Sequence, residues 1–184
     1  MNTSQVSIKK GWLSTAHHIP SPNLNKRPGN EISLLVIHNI SLPPGEFGGP
    51  WINALFTNQL DAQAHPRFAD LADLRVSSHL LIRRSGEVIQ YVPFHLRAWH
   101  AGQSTFQART NCNDFAIGIE LEGTDTAPYA NIQYQNLGDI TRTLMAEYPK
   151  ITQARITGHE HIAPGRKTDP GPAFSWNRYF SHLT

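Results

Sequence analysis

The run Ser33-Leu34-Leu35-Val36-Ile37-His38 is the stretch from which the fold follows. Four consecutive apolar residues, Leu34 to Ile37, are typical of a strand that is buried on both faces. The residue that ends such a strand lies at the rim of the sheet, where solvent can reach it and where sites tend to form. We therefore expect His38 at one edge of a central sheet, either as a ligand or as a hydrogen-bonded structural histidine.

The remaining regular segments predict an α/β fold, a central mixed β-sheet flanked by helices. Two short apolar runs joined across Ser85-Gly86-Glu87 predict a β-hairpin. Apolar residues at three- and four-residue intervals from Ile132 to Tyr148 predict an amphipathic helix that stops at Pro149. No linker or low-complexity tract divides the chain, so we expect a single domain over residues 1–184.

Composition excludes several classes of function. The formal charge of +2 is too small to indicate a nucleic-acid groove, and no run approaches the roughly 18 apolar residues of a membrane span. The segment Met1 to Lys10 lacks the apolar run of a signal peptide, so we expect a cytoplasmic protein. Cys112 is the single cysteine, which predicts a buried small apolar residue and no internal disulfide. Nothing indicates an obligate protein partner.

Candidate metal ligands are concentrated in one segment rich in glycine and proline, which we expect to be irregular backbone: Thr157-Gly158-His159-Glu160-His161-Ile162-Ala163-Pro164-Gly165-Arg166-Lys167-Thr168-Asp169-Pro170-Gly171. A catalytic zinc site uses three protein ligands and leaves one position open. His159 and Asp169 can supply two of them, and His38 is the best candidate for the third. The spacing also admits His161 as a ligand, and two histidines with one carboxylate can hold non-haem iron.

A carboxylate also interrupts an apolar strand. Residues Phe115 to Glu122 alternate with a period of two, which puts Glu120 among small residues on one face. A carboxylate in such a strand is costly unless it has a partner or a function, so we expect Glu120 to be functional. The small residues before it leave space for a substrate. Glu122, Arg83 and Arg84 are expected to be solvated.

Four segments, in this order, resemble those of the AmpD-like 1,6-anhydro-N-acetylmuramyl-L-alanine amidases: residues Leu35 to Pro50, Ala98 to Gly102, Ile117 to Asp125, and Thr157 to Gly171. The resemblance extends from about Gly11 to Trp176. These are zinc enzymes of cytoplasmic cell-wall recycling whose fold is shared with peptidoglycan-recognition proteins. The resemblance implies that an anhydro-muropeptide is the substrate, and that loss of activity would induce β-lactamase in some bacteria.

The resemblance also implies roles for individual residues. It assigns one zinc ion to His38, His159 and Asp169, and makes Glu120 the catalytic carboxylate. Lys167 lies two residues before Asp169, so its ammonium can face a tetrahedral oxyanion. His161 is outside the family's ligand set, and His100 is expected to give structural support. The expected substrate-binding residues are Asn39, Trp99, Arg75, Arg109 and Arg166.

Some of these assignments are less well defined than others. Trp99 fits either a core position or an apolar wall against a sugar ring. AmpD-like sequences often carry an arginine directly before the cysteine, where this chain has Asn111 and places Arg109 two positions earlier.

Three alternative functions share parts of this pattern. An amidase of intact peptidoglycan would use the same chemistry. A non-catalytic peptidoglycan-recognition module would keep the cleft without the full set of ligands and base. An iron-dependent oxygenase would use two histidines and a carboxylate without the rest.

Overall fold

A computed structural model describes residues 6–183, so the outermost residues of the predicted domain lie outside the described part. The strands are β1 (Ile8–Lys9), β2 (Trp12–Leu13), β3 (His17–His18), β4 (Leu24–Lys26), β5 (Leu34–Ile40), β6 (Leu80–Ile82), β7 (Val88–Gln90), β8 (Leu96–Ala98), β9 (Thr105–Phe106), β10 (Arg109–Thr110), β11 (Ala116–Glu122) and β12 (Ile156–Gly158). The α-helices are α1 (Trp51–Phe56), α2 (Asn131–Glu147), α3 (His159–Ile162) and α4 (Trp176–Ser181). Short 3₁₀ turns lie at Pro66–Phe68, Cys112–Asp114 and Gln153–Arg155.

The main sheet has six strands in the order β12-β5-β11-β6-β7-β3. The first four strands in this order run parallel, whereas β6 and β7 form the antiparallel hairpin that the sequence predicts. Strand β5 lies between β12 and β11, and its residues Leu34 to Ile37 are fully buried. The predicted α/β class with a mixed sheet is therefore confirmed.

The two faces of the sheet are covered differently. One face packs against α2 and α4, where Ile37 and Ile119 meet Leu137, Ile140 and Tyr179 in the largest apolar cluster. The other face is covered by α1 on one side and by the chain around Ala101 and Cys112 on the other. Cys112 is fully buried, as expected. The even-numbered residues of β5 and β11 face this second layer, so His38 and Glu120 lie on the side away from α2.

Two local predictions need correction. The segment after β12 is not wholly irregular, because His159–Ile162 form one turn of helix. Consecutive residues of a helix point about 100° apart, so His159 and His161 do not share a side as they would on extended backbone.

Within residues 6–183, no helix is both long enough and apolar enough to cross a membrane.

Glu122 and Arg83 are buried and paired, contrary to the expectation that they are solvated. Arg83 donates to Glu122 Oε1 over 3.1 Å, and the same oxygen accepts the Gly48 N–H over 2.7 Å. The other oxygen, Oε2, accepts the Arg84 N–H over 3.1 Å. Glu122 thus connects the turn of the hairpin to the loop before α1, which is why a carboxylate is stable there.

Replacing Glu122 with Gln should therefore destabilise the fold by about 3 kcal/mol, because it removes the buried counter-charge of the Arg83 guanidinium and leaves only the exposed Glu87. For a chain of this size, that loss corresponds to a fall in melting temperature of roughly 6–12 °C. The matched control is Glu87→Gln. Glu87 also pairs with Arg83, over 3.2 Å, but its side chain is 51% exposed, so the change should cost less than about 1 kcal/mol. Equal losses in thermal denaturation would contradict this account.

Candidate metal centre and active site

Strand register brings the candidate ligands to one level of the sheet. Gly158 of β12 pairs with Ile37 of β5, so His159 follows at the level of His38. Glu120 of β11 pairs directly with His38 on the other side. Because all three strands are parallel, their carboxyl ends meet at the same edge. Asp169 reaches this edge from the loop after α3, where its carbonyl oxygen accepts the Glu160 N–H.

His38, His159 and Asp169 converge on one point. His38 Nδ1 lies 3.0 Å from His159 Nδ1 and 3.0 Å from Asp169 Oδ2, and His159 Nδ1 lies 3.1 Å from the same carboxylate oxygen. Tetrahedral zinc with bonds of about 2.0–2.1 Å needs ligand atoms about 3.3 Å apart. The cluster thus has the donor types and nearly the spacing of a three-ligand zinc site, and the structure brings together the three residues that the sequence singled out.

The outer hydrogen bonds of the histidines explain why this cluster suits a cation. His159 Nε2 lies 3.0 Å from the Ala101 carbonyl, which can only accept, so Nε2 carries the proton and Nδ1 is a bare acceptor. His38 Nε2 lies 2.9 Å from His100 Nδ1. When His38 donates to His100, three acceptors face one another at about 3 Å. Such a set is stable only around a cation or a shared proton.

Burial and mutual contacts shift the protonation of this cluster. Burial lowers the pKa of His38 to about 4, against the opposing hydrogen bond with Asp169, so the ring is neutral near pH 7. Burial alone would raise the pKa of Asp169, but its close contacts with the His159 and His38 imidazoles outweigh that effect and hold the pKa well below its usual range. A neutral imidazole and an ionised carboxylate are the forms that bind a metal.

Glu120 is a buried carboxyl group without protein partners at one oxygen. The residue is 8% exposed, and its Oε2 has no hydrogen-bond partner among residues 6–183. Burial raises its pKa well above the usual glutamate value, and the Asp169 carboxylate adds to the rise while Lys167 opposes it. A buried carboxyl group with a raised pKa binds a proton more tightly than an exposed glutamate does, which suits a general base or acid.

Lys167 and Asn39 border an open cleft beside the cluster. The cleft has a volume of about 580 Å³, and Ser41, Asp125 and Asp169 also line it. Lys167 is exposed. The Asn39 side-chain nitrogen donates to Asp125 Oδ1 over 2.8 Å and to the Pro170 carbonyl over 3.1 Å. Asn39 therefore also supports the backbone that follows Asp169.

The other predicted substrate-binding residues are dispersed. Trp99 is partly exposed, and its indole N–H donates to Asn25 over 2.7 Å. Arg166 lines the cleft, but its guanidinium donates to the carbonyls of Ala101 and Gln103. Arg75 is exposed and donates only to nearby carbonyls of its own loop. All three therefore donate hydrogen bonds to groups within the protein.

Arg109 is not brought to the cleft. Its guanidinium pairs with Glu31 over 2.7 Å and lies 3.9 Å from the centre of the Phe115 ring, at the opposite end of β11 from Glu120. It lines a separate cavity with Lys150 and Arg155. Closeness in sequence to the segment Ile117 to Asp125 was thus a poor guide to substrate binding. Strand β11 runs away from Arg109, so Glu120 lies at the other end of the strand.

Sequence reasoning misjudged the space above Gly118 and missed the role of Asn113. The space above Gly118 is filled by the His100 ring, not left for substrate: a Cβ on Gly118 would lie 2.5 Å from His100 Cγ. Asn113 Oδ1 accepts the N–H groups of His100 and Ala101. A glycine in a buried strand was the available signal, because it often marks close approach of another group.

His161 lies outside the cluster; its side chain is 59% exposed and lies near Glu160.

Comparisons with known proteins agree with this architecture. A sequence profile described as N-acetylmuramoyl-L-alanine amidase matches residues 28–172. The 1,6-anhydro-N-acetylmuramyl-L-alanine amidase AmpD of Salmonella typhimurium strain SL1344 is 64% identical over 171 residues, which is 92% of this chain and 91% of that protein. A crystal structure of a selenomethionine AmpD derivative has a TM-score of 0.94 at 59% identity, covering 96% of this chain and 99% of that one.

A more distant structure carries a ligand. The N-acetylmuramyl-L-alanine amidase AmiD from Escherichia coli, in complex with anhydro-N-acetylmuramic acid-L-Ala-D-γ-Glu-L-Lys, has a TM-score of 0.61 at 28% identity. The match covers 97% of this chain and 65% of that chain. The sheet described here is thus shared with amidases that differ considerably in sequence.

Replacing Glu120 with Gln should stabilise the metal-free protein. The folded state holds the Glu120 proton more tightly than the unfolded chain, so stability falls as the pH rises from the usual glutamate pKa towards the raised one. Gln cannot ionise and removes this loss. At pH 8 we therefore expect Glu120→Gln to be more stable than the original chain, by a margin that shrinks as the pH falls towards the usual glutamate pKa.

Thermal denaturation at both pH values, after removal of metal with a chelator, measures this difference. The matched control is Glu122→Gln on the same strand, whose buried carboxylate is paired and whose loss should destabilise. A Glu120→Gln variant that is less stable than the original chain at pH 8 would refute the assignment of Glu120 as an unpartnered buried carboxylate.

Proposed function

The chain belongs to the N-acetylmuramoyl-L-alanine amidase family, and we propose that it hydrolyses the amide bond between 1,6-anhydro-N-acetylmuramic acid and L-alanine. A relative with 64% identity over nearly its whole length is named for this reaction. The observation that carries the proposal is the cluster of His38, His159 and Asp169 at one sheet edge with the buried Glu120 beside it. The role is turnover of anhydro-muropeptides during peptidoglycan recycling.

We assign one zinc ion per chain to His38, His159 and Asp169. The donor set supports zinc, since neutral imidazoles and a carboxylate are its ordinary ligands and three protein ligands are typical of a catalytic site. A zinc ion bound there would polarise the scissile carbonyl and lower the pKa of a bound water to roughly 7.

Glu120 is the proposed proton carrier. It accepts a proton from the attacking water and delivers it to the leaving nitrogen of L-alanine. Its burial beside His38 suits this exchange, because the raised pKa makes the carboxylate a stronger proton acceptor than an exposed glutamate. The same burial excludes bulk water, which would otherwise compete for the proton.

Lys167 is proposed to stabilise the developing negative charge on the carbonyl oxygen. Its position on the cleft wall, two residues before Asp169, allows the ammonium to approach the oxyanion of the tetrahedral intermediate. One such contact contributes about 3 kcal/mol to lowering the barrier.

The substrate is proposed to lie along the open cleft, with Asn39 near the reacting centre and Trp99 against the anhydro sugar. Arg166 and Arg75 remain candidates for the stem-peptide carboxylates, which arginine can bind through two hydrogen bonds. Arg166 would have to exchange its contacts with Ala101 and Gln103 for the ligand. Arg109 is omitted, since its charge is paired with Glu31 at the other end of β11.

The wider setting is part of the same proposal. We propose that residues 1–184 form a single amidase domain, and that it acts in the cytoplasm on a small soluble substrate. The single cysteine, Cys112, is buried, so the fold needs no oxidising compartment. Loss of the activity would then cause anhydro-muropeptides to accumulate, with β-lactamase induction in hosts that respond to them.

The metal assignment predicts that His159→Ala abolishes stoichiometric zinc binding, because it removes one of three converging ligands. The matched control is His161→Asn, two residues away, whose exposed ring lies outside the cluster. We expect zinc near one ion per chain in the control, measured by elemental analysis after dialysis against trace zinc. Loss of metal from His161→Asn would overturn the ligand set. Selective retention of iron by the original chain after anaerobic purification would favour an oxygenase.

The activity is tested by mass spectrometry of products after the zinc-loaded protein is incubated with anhydromuramyl-tripeptide or with intact sacculi. Release of free tripeptide from the small substrate alone is the expected result, and Glu120→Gln should reduce it by at least about 100-fold. Release from sacculi as well would widen the substrate class to intact peptidoglycan. Binding of the muropeptide without release of tripeptide would support a recognition module instead.

A further inference from the structure

The buried imidazole of His100 contacts the side of His38 that faces away from the proposed metal site. Its Nδ1 lies 2.9 Å from His38 Nε2, and the two rings meet edge to face at 85°. We infer that His100 is a positioning residue: it accepts the Nε2–H of His38 and thereby presents the bare Nδ1 of His38 to the metal. This inference rests on the proposed metal site, and goes beyond it by assigning what orients the site.

The rest of the His100 ring has no other hydrogen-bonding role in the structure. Its Nε2 is buried, and within residues 6–183 that atom has no hydrogen-bond partner. The neighbouring ring of His79 lies edge to face, with centroids 5.7 Å apart. An apolar side chain would therefore fill this half of the space equally well. The one polar contact that justifies a histidine here is the contact with His38.

The backbone around His100 is held by one carboxamide oxygen. Asn113 Oδ1 accepts the N–H of His100 over 3.1 Å and the N–H of Ala101 over 2.9 Å. The Ala101 carbonyl in turn accepts the Nε2–H of His159 over 3.0 Å. Both histidine ligands thus have their outer nitrogens engaged by two consecutive residues that share a single anchor.

Gly118 provides the space for this arrangement. The His100 ring lies directly above its Cα, where a Cβ would approach Cγ to 2.5 Å and Nδ1 to 2.5 Å. Strand β11 therefore carries Glu120 and, two positions earlier on the same face, Gly118, which leaves room for the His100 ring.

The ring protons of His38 and His100 can be arranged in two ways. In the metal-binding form, His38 carries its proton on Nε2 and His100 carries its own on the buried Nε2, so both Nδ1 atoms act as acceptors. When His38 instead donates from Nδ1 to Asp169, His100 must donate from Nδ1 to His38 Nε2. The pair can therefore adopt either tautomer without gaining or losing a proton, and binding of the metal selects the first.

The test compares His100→Asn with His100→Leu. The two replacements have the same branched shape, but only Asn places an acceptor oxygen close to the position of Nδ1. We expect His100→Leu to weaken zinc affinity by 10- to 100-fold, the usual effect of removing an outer partner of a metal ligand. His100→Asn should stay within about threefold of the original chain. Zinc affinity is measured by competition with a fluorescent chelator, and the His38 tautomer by nitrogen-15 NMR of the ring.

Three outcomes decide between the alternatives. A loss confined to Leu, with an altered His38 tautomer, supports the positioning role. Equal affinities for both variants overturn it, whether both match the original chain or both are weak, since shape alone would then matter. If the unaltered chain fails to bind zinc, the proposed metal site itself fails, which is a separate result.

A second matched pair keeps the test decisive if His100→Leu does not fold. Asn113→Asp keeps the shared acceptor oxygen, and Asn113→Leu removes it. The Leu variant should weaken zinc binding at least as much as His100→Leu does, because it releases the partners of both histidines. Unchanged affinity in Asn113→Leu would overturn the inference. Glu122→Gln is the control for lowered stability and should leave zinc affinity unchanged.

Discussion

The in-register parallel pairing of β5 with β12 on one side and β11 on the other is the constraint on which the site depends. It places Gly158 beside Ile37 and Glu120 beside His38, so that two metal ligands and the proposed base share one level of the sheet. A shift of one residue would turn Glu120 to the opposite face, into the apolar layer under α2. The apolar side chains of both strands oppose that shift, because it would expose Ile119 and Ile37 to the cleft.

When His38 carries its proton on Nε2, the three ligand atoms of the site are all acceptors, an arrangement that needs a cation between them. Two imidazole nitrogens and a carboxylate oxygen lie about 3 Å apart in a buried position. Their outer hydrogen bonds, to Ala101 and His100, fix where each proton resides and leave acceptors facing inward. The segment from Ala98 to Gly102 therefore orients the ligands, and it is itself held by Asn113 and accommodated by the missing side chain of Gly118.

Two carboxylates on β11 show how environment separates roles within a single strand. Glu122 is buried but accepts hydrogen bonds from Arg83, Gly48 and Arg84, so it stabilises the fold as an anion. Glu120, two residues earlier, has an oxygen with no partner in the described chain and a raised pKa. Burial of the first is compensated by charge and hydrogen bonds. Burial of the second is uncompensated, which is the usual state of a group kept for chemistry.

Local pattern in the sequence was enough to predict strands β5 and β11, the β6–β7 hairpin, helix α2 and the chemical types at the site. The apolar run before His38, the alternation around Glu120 and the periodicity of α2 each depend on neighbouring residues, so they predicted the mixed sheet, its main helix and the candidate ligands. Tertiary structure alone decided which distant groups meet. Arg83 and Glu122 are 39 residues apart in sequence. His100 belongs to the segment between β8 and β9, and its ring meets Gly118 because that segment packs over β11. Arg109 illustrates the converse. It is close to β11 in sequence, but it lies at the start of that strand, whereas Glu120 lies near its end. Pairings of this kind depend on register and packing between segments, which local periodicity does not encode.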